Sequence, residues 1–262
     1  MDLPRFGELL KILDDKTSGS ENLLTELNSY ILNCFFSSDE PGQFLAALKK
    51  LFPSFQIIQS YLDELMLISH DKIAVQKFLH RYNEKREKSI QKIIDAAIND
   101  LKKYDRILTI SNSSTVTSIL KKLRDINPNL SVYISESRPM YEGRITAENL
   151  LTHQVKTTII TEVMIPQYVK QSDAAIIGAD KIFEDGSVTN KMGSQSIAIA
   201  CKFYSKPFYV VARKMKQQCD SKSMADNHDT EEIWERKPEE IEIINSYFEI
   251  VSAELITKIF TD

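Results

Sequence analysis

The sequence predicts an α/β protein in which a helical N-terminal domain (residues 1–103) is followed by a doubly wound, mainly parallel sheet (residues 104–262). Three observations predict it. Apolar residues recur at helical spacing as far as Lys103. Beyond that point the pattern changes to short β-branched runs at residues 106–110, 131–135, 157–161, 174–177 and 208–211. Helical patterns separate these runs, and strands alternating with helices call for parallel pairing through right-handed crossovers.

In chain order, Phe6, Leu9, Leu10 and Leu13 make one apolar stripe, and Leu23, Leu24, Leu27, Tyr30, Ile31 and Cys34 a second. The turn between them, residues 14–20, ends in residues suited to cap the second helix. Its hydroxyls and backbone amides could also meet an anion, although capping is the commoner use. Residues 37–41 form a loop and helix start, followed by Phe44, Leu45, Leu48 and Leu51. After Pro53 the pattern resumes with Ile57, Ile58, Tyr61, Leu62 and Leu65. Residues 71–103 read as one long helix or two. There Arg81, Lys85, Arg86 and Lys88 alternate with Glu84 and Glu87, the pattern of a solvated face and not of a nucleic-acid patch.

In the second half, a polar turn at residues 111–114 follows the first strand run and leads to a helix carrying Val116, Ile119, Leu120 and Leu123. The second run delivers Glu136 and Arg138 at its end. A helix over residues 146–153 leads to the third run, and a short stretch through Tyr168 and Val169 to the fourth, which breaks at Gly178 just before Asp180. Asp185 and Gly186 signal a tight turn. Asn190, Lys191, Gly193 and Ser194 then lead into Ile197, Ala198, Ala200, Cys201 and Tyr204 at helical spacing. Residues 208–211 resume the strand pattern, residues 214–230 read as a surface loop, and residues 255–260 as a final strand. Ligands of open parallel sheets sit beyond the strands' carboxyl ends, so Asp180, Asn190 and Lys191 make a candidate phosphate site at a helix start. The same stretch reads equally as an exposed hairpin with a routine cap at Ser194.

Composition narrows the class. The 262 residues are 42% hydrophobic and 27% charged, with a net charge of −4, which gives no general attraction for nucleic acid. Three widely spaced cysteines, Cys34, Cys201 and Cys219, fit neither a disulfide framework nor a zinc cluster, and a reducing cytoplasm is the expected setting. None of the four histidines pairs at metal spacing, so neither a metal site nor a cofactor is expected. No apolar run is long enough for a membrane span, and the acidic start is unlike a signal peptide.

Four pieces, ILTISNSS (107–114), ESRPMYEG (136–143), GADKI with DG and NKMG (178–193), and KPFYVV (206–211), fall in the order and spacing of one superfamily. They resemble the group that holds the alpha, beta and delta subunits of translation initiation factor 2B, methylthioribose-1-phosphate isomerase and ribose-1,5-bisphosphate isomerase. The match is specific over residues 104–213. In the helical half its best fragment is residues 15–20, with Ser18, Gly19 and Ser20. The resemblance implies a Rossmann-like C-terminal domain, a phosphosugar or nucleotide-phosphate site between the domains, and a homodimer or a homologous partner subunit. It also implies phosphate-ligand roles for Arg138, Asn190 and Lys191, and an acid–base role for Asp180.

The family's isomerases pair that aspartate with a cysteine in the first strand's terminal turn, and here the position is Ser111. A serine hydroxyl is a poor acid or base without an activating neighbour. Where the isomerases carry an aspartate with small neighbours, this chain has Glu162, Val163 and Met164. The expectation is therefore a protein that binds a small-molecule phosphate ester without full isomerase activity. The alternative is an aldose–ketose isomerase acting on a ribose 1-phosphate-type substrate, with Asp180 carrying the proton transfers and Ser111 polarising the sugar.

Overall fold

Residues 6–15, 17–37, 40–53, 55–214, 217–218 and 227–262 are described in a computed structural model of the chain. The expected start segment, Lys16, residues 38–39, most of the 214–230 loop and Cys219 lie outside the described residues.

Five helices come first: α1 (Phe6–Asp14), α2 (Ser20–Cys34), α3 (Pro41–Leu51), α4 (Gln56–Ile68) and α5 (Lys72–Leu101). Each sinks its apolar stripe into one shared core, where Leu24, Leu27, Ile31, Leu45, Leu48, Ile58, Tyr61 and Leu65 are wholly buried. A fully buried leucine or isoleucine there contributes roughly 1.5–3 kcal/mol. Within this core the Tyr61 hydroxyl donates to Asn28 Oδ1 (2.7 Å), and Asn28 Nδ2 donates to the Leu79 carbonyl (3.4 Å).

Residues 71–103 resolve into one helix and not two. Asp71 caps it by accepting from the backbone N–H of Ile73 (2.9 Å) and Ala74 (3.0 Å). Val75, Leu79 and Tyr82 of α5 belong to the helical core, while Ile93, Ile94, Ala97 and Leu101 pack beneath the sheet. One rod thus serves two cores.

The sheet half runs β1 (Arg106–Ile110), α6 (Ser114–Ile126), β2 (Ser131–Ser135), α7 (Glu142–Leu151), β3 (Lys156–Ile160), α8 (Ile165–Gln171) and β4 (Ala174–Gly178). It continues with β5 (Lys181–Phe183), β6 (Val188–Lys191), α9 (Ser194–Phe203), β7 (Phe208–Val211), β8 (Gln217–Gln218), β9 (Phe248–Val251) and β10 (Lys258–Phe260). Six strands form one parallel sheet in the order β10-β7-β4-β1-β2-β3. From β1 the chain winds outward to β3, then returns to β4 and winds the other way. The winding reverses between β1 and β4, and a crevice opens beyond the carboxyl ends of these two strands.

One open choice resolves toward the hairpin, buried and not exposed, and two sequence expectations change. Residues 181–191 form a hairpin inserted in the crossover between β4 and β7, and with β8 and β9 it makes a second sheet in the order β8-β5-β6-β9. Asn190 and Lys191 therefore sit on a buried strand and not at a helix start. Helix α7 begins at Glu142, four residues before the expected start, and so places that carboxylate in its first turn. The last strand is only Lys258–Phe260, because a 3-10 turn occupies Ala253–Leu255. Among the described residues no helix is long and apolar enough to cross a membrane.

Candidate functional site

The crevice between β1 and β4 leads into a cavity of about 260 Å³. Its walls come from Asp15 and residues 17–21, the turn after β1, the ends of β4 and β7, strand β6, the first turn of α7, and residues 228, 247 and 248.

The turn after β1 starts with Ser111 in a left-handed conformation (φ 66°), held there as its N–H donates to Ser137 Oγ (2.8 Å). Thr146 Oγ1 donates to the Ser111 carbonyl (2.8 Å), which ties the turn to α7. Ser113 then caps α6, whose first residues Ser114 and Thr115 line the cavity. Opposite stands the start of α2, where Gly19 is the cap residue and offers no side chain. A Cβ at Gly19 would lie 2.7 Å from the Asn112 carbonyl oxygen, so only glycine lets the two loops approach this closely. Asn112 Nδ2 donates to the Thr17 carbonyl (3.1 Å) and seals the contact. Two helix N-termini thus face one cavity, an arrangement suited to an anion.

A third helix start is already taken. The N–H groups of Gly193 and Gln195, opening α9, donate to Glu249 Oε1 at 2.6 and 2.8 Å. Burial raises the Glu249 carboxyl above its ordinary range, against the pull of these bonds.

Asp180 lies just past β4. Its N–H donates to the Thr189 carbonyl (2.8 Å), and its Oδ1 accepts from Ser20 Oγ (2.9 Å), a contact spanning 160 residues. Lys191 is 2% exposed, its ammonium 2.6 Å from Glu142 Oε1 and 4.5 Å from the centre of the Tyr247 ring. The other face of that ring stacks on His228, with ring centres 3.5 Å apart. Burial pushes the Glu142 carboxyl up even though Lys191 pulls it down, and Oε2 of the same group has no hydrogen-bond partner. Arg213, past the end of β7, donates to Glu21 Oε2 (3.3 Å) and to the Tyr82 hydroxyl (2.9 Å). Burial pushes the Tyr82 phenol up to about 12, against the pull of Arg213.

Of the residues singled out in the sequence, Ser18, Gly19, Ser20, Ser111, Asp180, Asn190 and Lys191 all line this cavity. Asn190 is largely spent on the fold: oriented to satisfy both ends of its amide, it donates to the Gly178 carbonyl (3.1 Å) and accepts from the Lys191 N–H (3.3 Å). Arg138 stands apart. It is exposed, outside the cavity lining, with its guanidinium bonded to the Tyr141 hydroxyl and over that ring. It pairs with neither Glu136, which takes Arg144, nor Glu142, which takes Lys191. Glu162 braces the strand ends, where its Oε1 accepts from Ser135 Oγ (2.6 Å) and the Ser137 N–H (2.7 Å).

Asp15, Glu21, Glu142, Arg213, His228 and Tyr247 line the cavity without having been nominated. The signal for Arg213 was its place two residues past a strand end. For the others a single sequence carries none, since their partners are distant in the chain. Among the described residues, no group of three or more His, Cys, Asp or Glu side chains is placed to hold a metal ion.

Comparisons with known proteins follow this geometry. The family model described as the initiation factor 2 subunit family matches residues 10–262. The ribose 1,5-bisphosphate isomerase of Methanocaldococcus jannaschii is 30% identical over 67% of this chain and 59% of its own length. The methylthioribose-1-phosphate isomerase of Petrotoga mobilis is 25% identical over 96% of this chain and 74% of its own. Against three curated relatives the chain spans 59%, 58% and 48% of their lengths. The crystal structure of translation initiation factor eIF-2B from Pyrococcus horikoshii OT3 superposes with a TM-score of 0.87 at 23% identity, covering 98% of this chain and 95% of that one. The tetrameric eIF2B-beta2-delta2 complex of C. thermophilum gives 0.80 at 14%, covering 99% and 92%. These likenesses establish the shared fold.

Proposed function

The chain belongs to the initiation factor 2 subunit family, and we propose that within it the protein binds a phosphosugar or a nucleotide phosphate in the crevice between β1 and β4, without full isomerase activity. The observation that carries this reading is the convergence of two helix N-termini, α2 and α6, on one cavity that also holds Lys191 and Asp180. The fixed dipoles of the helices receive the phosphate. The carboxylate side of the cavity, with Asp180 steadied by Ser20, receives sugar hydroxyls.

The isomerase step needs one group to take a proton and another to return it. Asp180 is available for the first task. Ser111 is a weak candidate for the second, because no histidine or lysine is bonded to it among the described residues. Relatives named as isomerases, together with Asp180 in the cavity wall, favour the alternative of aldose–ketose isomerisation on a ribose 1-phosphate-type substrate. Assembly with a second copy or a homologous subunit belongs to the same proposal, supported by the likeness to a subunit of a tetrameric complex.

Calorimetric titration with ribose 1,5-bisphosphate, methylthioribose 1-phosphate and nucleoside monophosphates tests the binding reading. Failure to bind any of them, in protein shown to be folded, ends it. Turnover of either sugar phosphate, lost in Asp180→Asn, would replace it with the isomerase reading.

A further inference from the structure

The cavity carries more acid than base. Asp15, Glu21, Glu142 and Asp180 line it against Lys191 and Arg213, and each of those two cations is already held by a buried glutamate. A phosphate monoester near neutrality is largely a dianion, its second pKa lying near 6. It would enter a site whose charge balance is against it, and the helix N-termini supply only partial charges. Something has to give.

Glu21 and Tyr82 both hold the Arg213 guanidinium. Lys191 is the more easily turned cation, because an ammonium carries three donors and one is accounted for by Glu142. When its charge is shared with a phosphate, the Glu142 carboxylate is left 6% exposed beside a dianion. Burial and like charge both favour the neutral acid.

We propose that Glu142 takes up a proton from solvent when a phosphate ester binds, while the Lys191 ammonium turns to the phosphate, so that binding in this site is proton-linked. The inference rests on the phosphate-binding reading above. The proton lands on a group already disposed to hold it, since burial raises this carboxyl even while Lys191 is its partner. Its Oε2 is buried without a hydrogen-bond partner, a position that costs the carboxylate more than the neutral acid.

The titratable and charged neighbours are few. Lys191 faces Glu142 from β6, with the Tyr247 ring over the ammonium. Glu162, in the turn after β3, adds a repulsion that pushes in the same direction. Asp180, His228, and the Glu21–Arg213 pair stand elsewhere on the cavity wall. On α7 itself, Arg144 is engaged with Glu136.

The test is calorimetric titration with ribose 1,5-bisphosphate at pH 7.5, in two buffers of different ionisation enthalpy, on wild-type protein, Glu142→Gln and His228→Gln. The expected result is uptake of up to one proton per ligand in wild type and His228→Gln, and none in Glu142→Gln. Wild-type Kd should weaken by up to about tenfold per pH unit above neutrality, while Glu142→Gln stays flat. Ligand-induced infrared difference spectra of wild type give a second readout, a new neutral-carboxyl stretch, should the glutamine variant not fold. Binding without proton uptake, uptake that persists in Glu142→Gln, uptake lost in His228→Gln, or absence of the infrared band overturns the inference and leaves the phosphate-binding reading standing. No binding of any ester overturns both.

Discussion

Replacing Lys191 by methionine keeps the unbranched apolar stem and removes the terminal ammonium with its charge. The side chains of Lys191 and Glu142 are 3% and 7% exposed, so the variant leaves a carboxylate with neither water nor cation. Removing one partner of a buried pair costs about 3–5 kcal/mol, because the survivor remains desolvated. For a chain of this size that corresponds to a fall in Tm of roughly 6–15 °C. The cost depends on pH, and its sign follows from the proton. Burial raises the Glu142 carboxyl in the native protein, and without Lys191 it rises further; in the unfolded chain a glutamate titrates near 4.3. Between these values the folded state holds a proton that the unfolded state lacks, so stability falls as pH rises. The deficit should be small at pH 5 and near its full size at pH 8. Urea unfolding of wild type, Lys191→Met, Glu142→Gln and the double variant measures it, and the double variant should recover most of the loss. An equal deficit at both pH values, unrelieved by Glu142→Gln, would refute the account of this pair.

Other outcomes follow from the same geometry. Asp180→Asn keeps an acceptor for Ser20 and should change stability by less than about 1 kcal/mol while abolishing any turnover, measured by a coupled assay. Arg213→Met strands Glu21 in the buried wall and should cost about 3–5 kcal/mol in urea unfolding. Ser111→Cys puts a thiol at the position where the resemblance to the isomerases implies one, and should raise turnover of ribose 1,5-bisphosphate above the wild-type level. Cys201 is buried with its thiol pushed up to about 12, so a disulfide reagent should modify it at the rate of unfolding and no faster.

Strands β1, β2, β3, β4 and β7 were legible in the sequence because each is a short apolar run with polar residues soon after its end, as Ser111 is after 106–110 and Asp180 after 174–178. Their carboxyl ends could therefore be placed, and with them Ser111 and Asp180. The hairpin was not separable from a helix start. Strands β5 and β6 have three and four residues, too few for alternation to show, and the Gly193–Ser194 pair that opens α9 follows Lys191 closely. Glu142 escaped because its meaning lies in Lys191, a partner 49 residues away that only packing brings to it. Arg138 shows the converse. The motif nominated it, but the turn after β2 directs it to Tyr141 at the surface. Local propensity marks where a strand ends, whereas the partner a buried charge finds there is set by packing.

The undivided α5 also bears on how a ligand could arrive. At 1.5 Å per residue this thirty-residue rod is about 45 Å long, and its two halves are anchored in different cores. Parting the two halves of the molecule like jaws would require bending that rod or tearing one of its ends from its core. The 17–19 stretch in front of α2 bridges to the sheet half by short-range contacts instead, the close approach of Gly19 to Asn112 and the bond from Asn112 to Thr17.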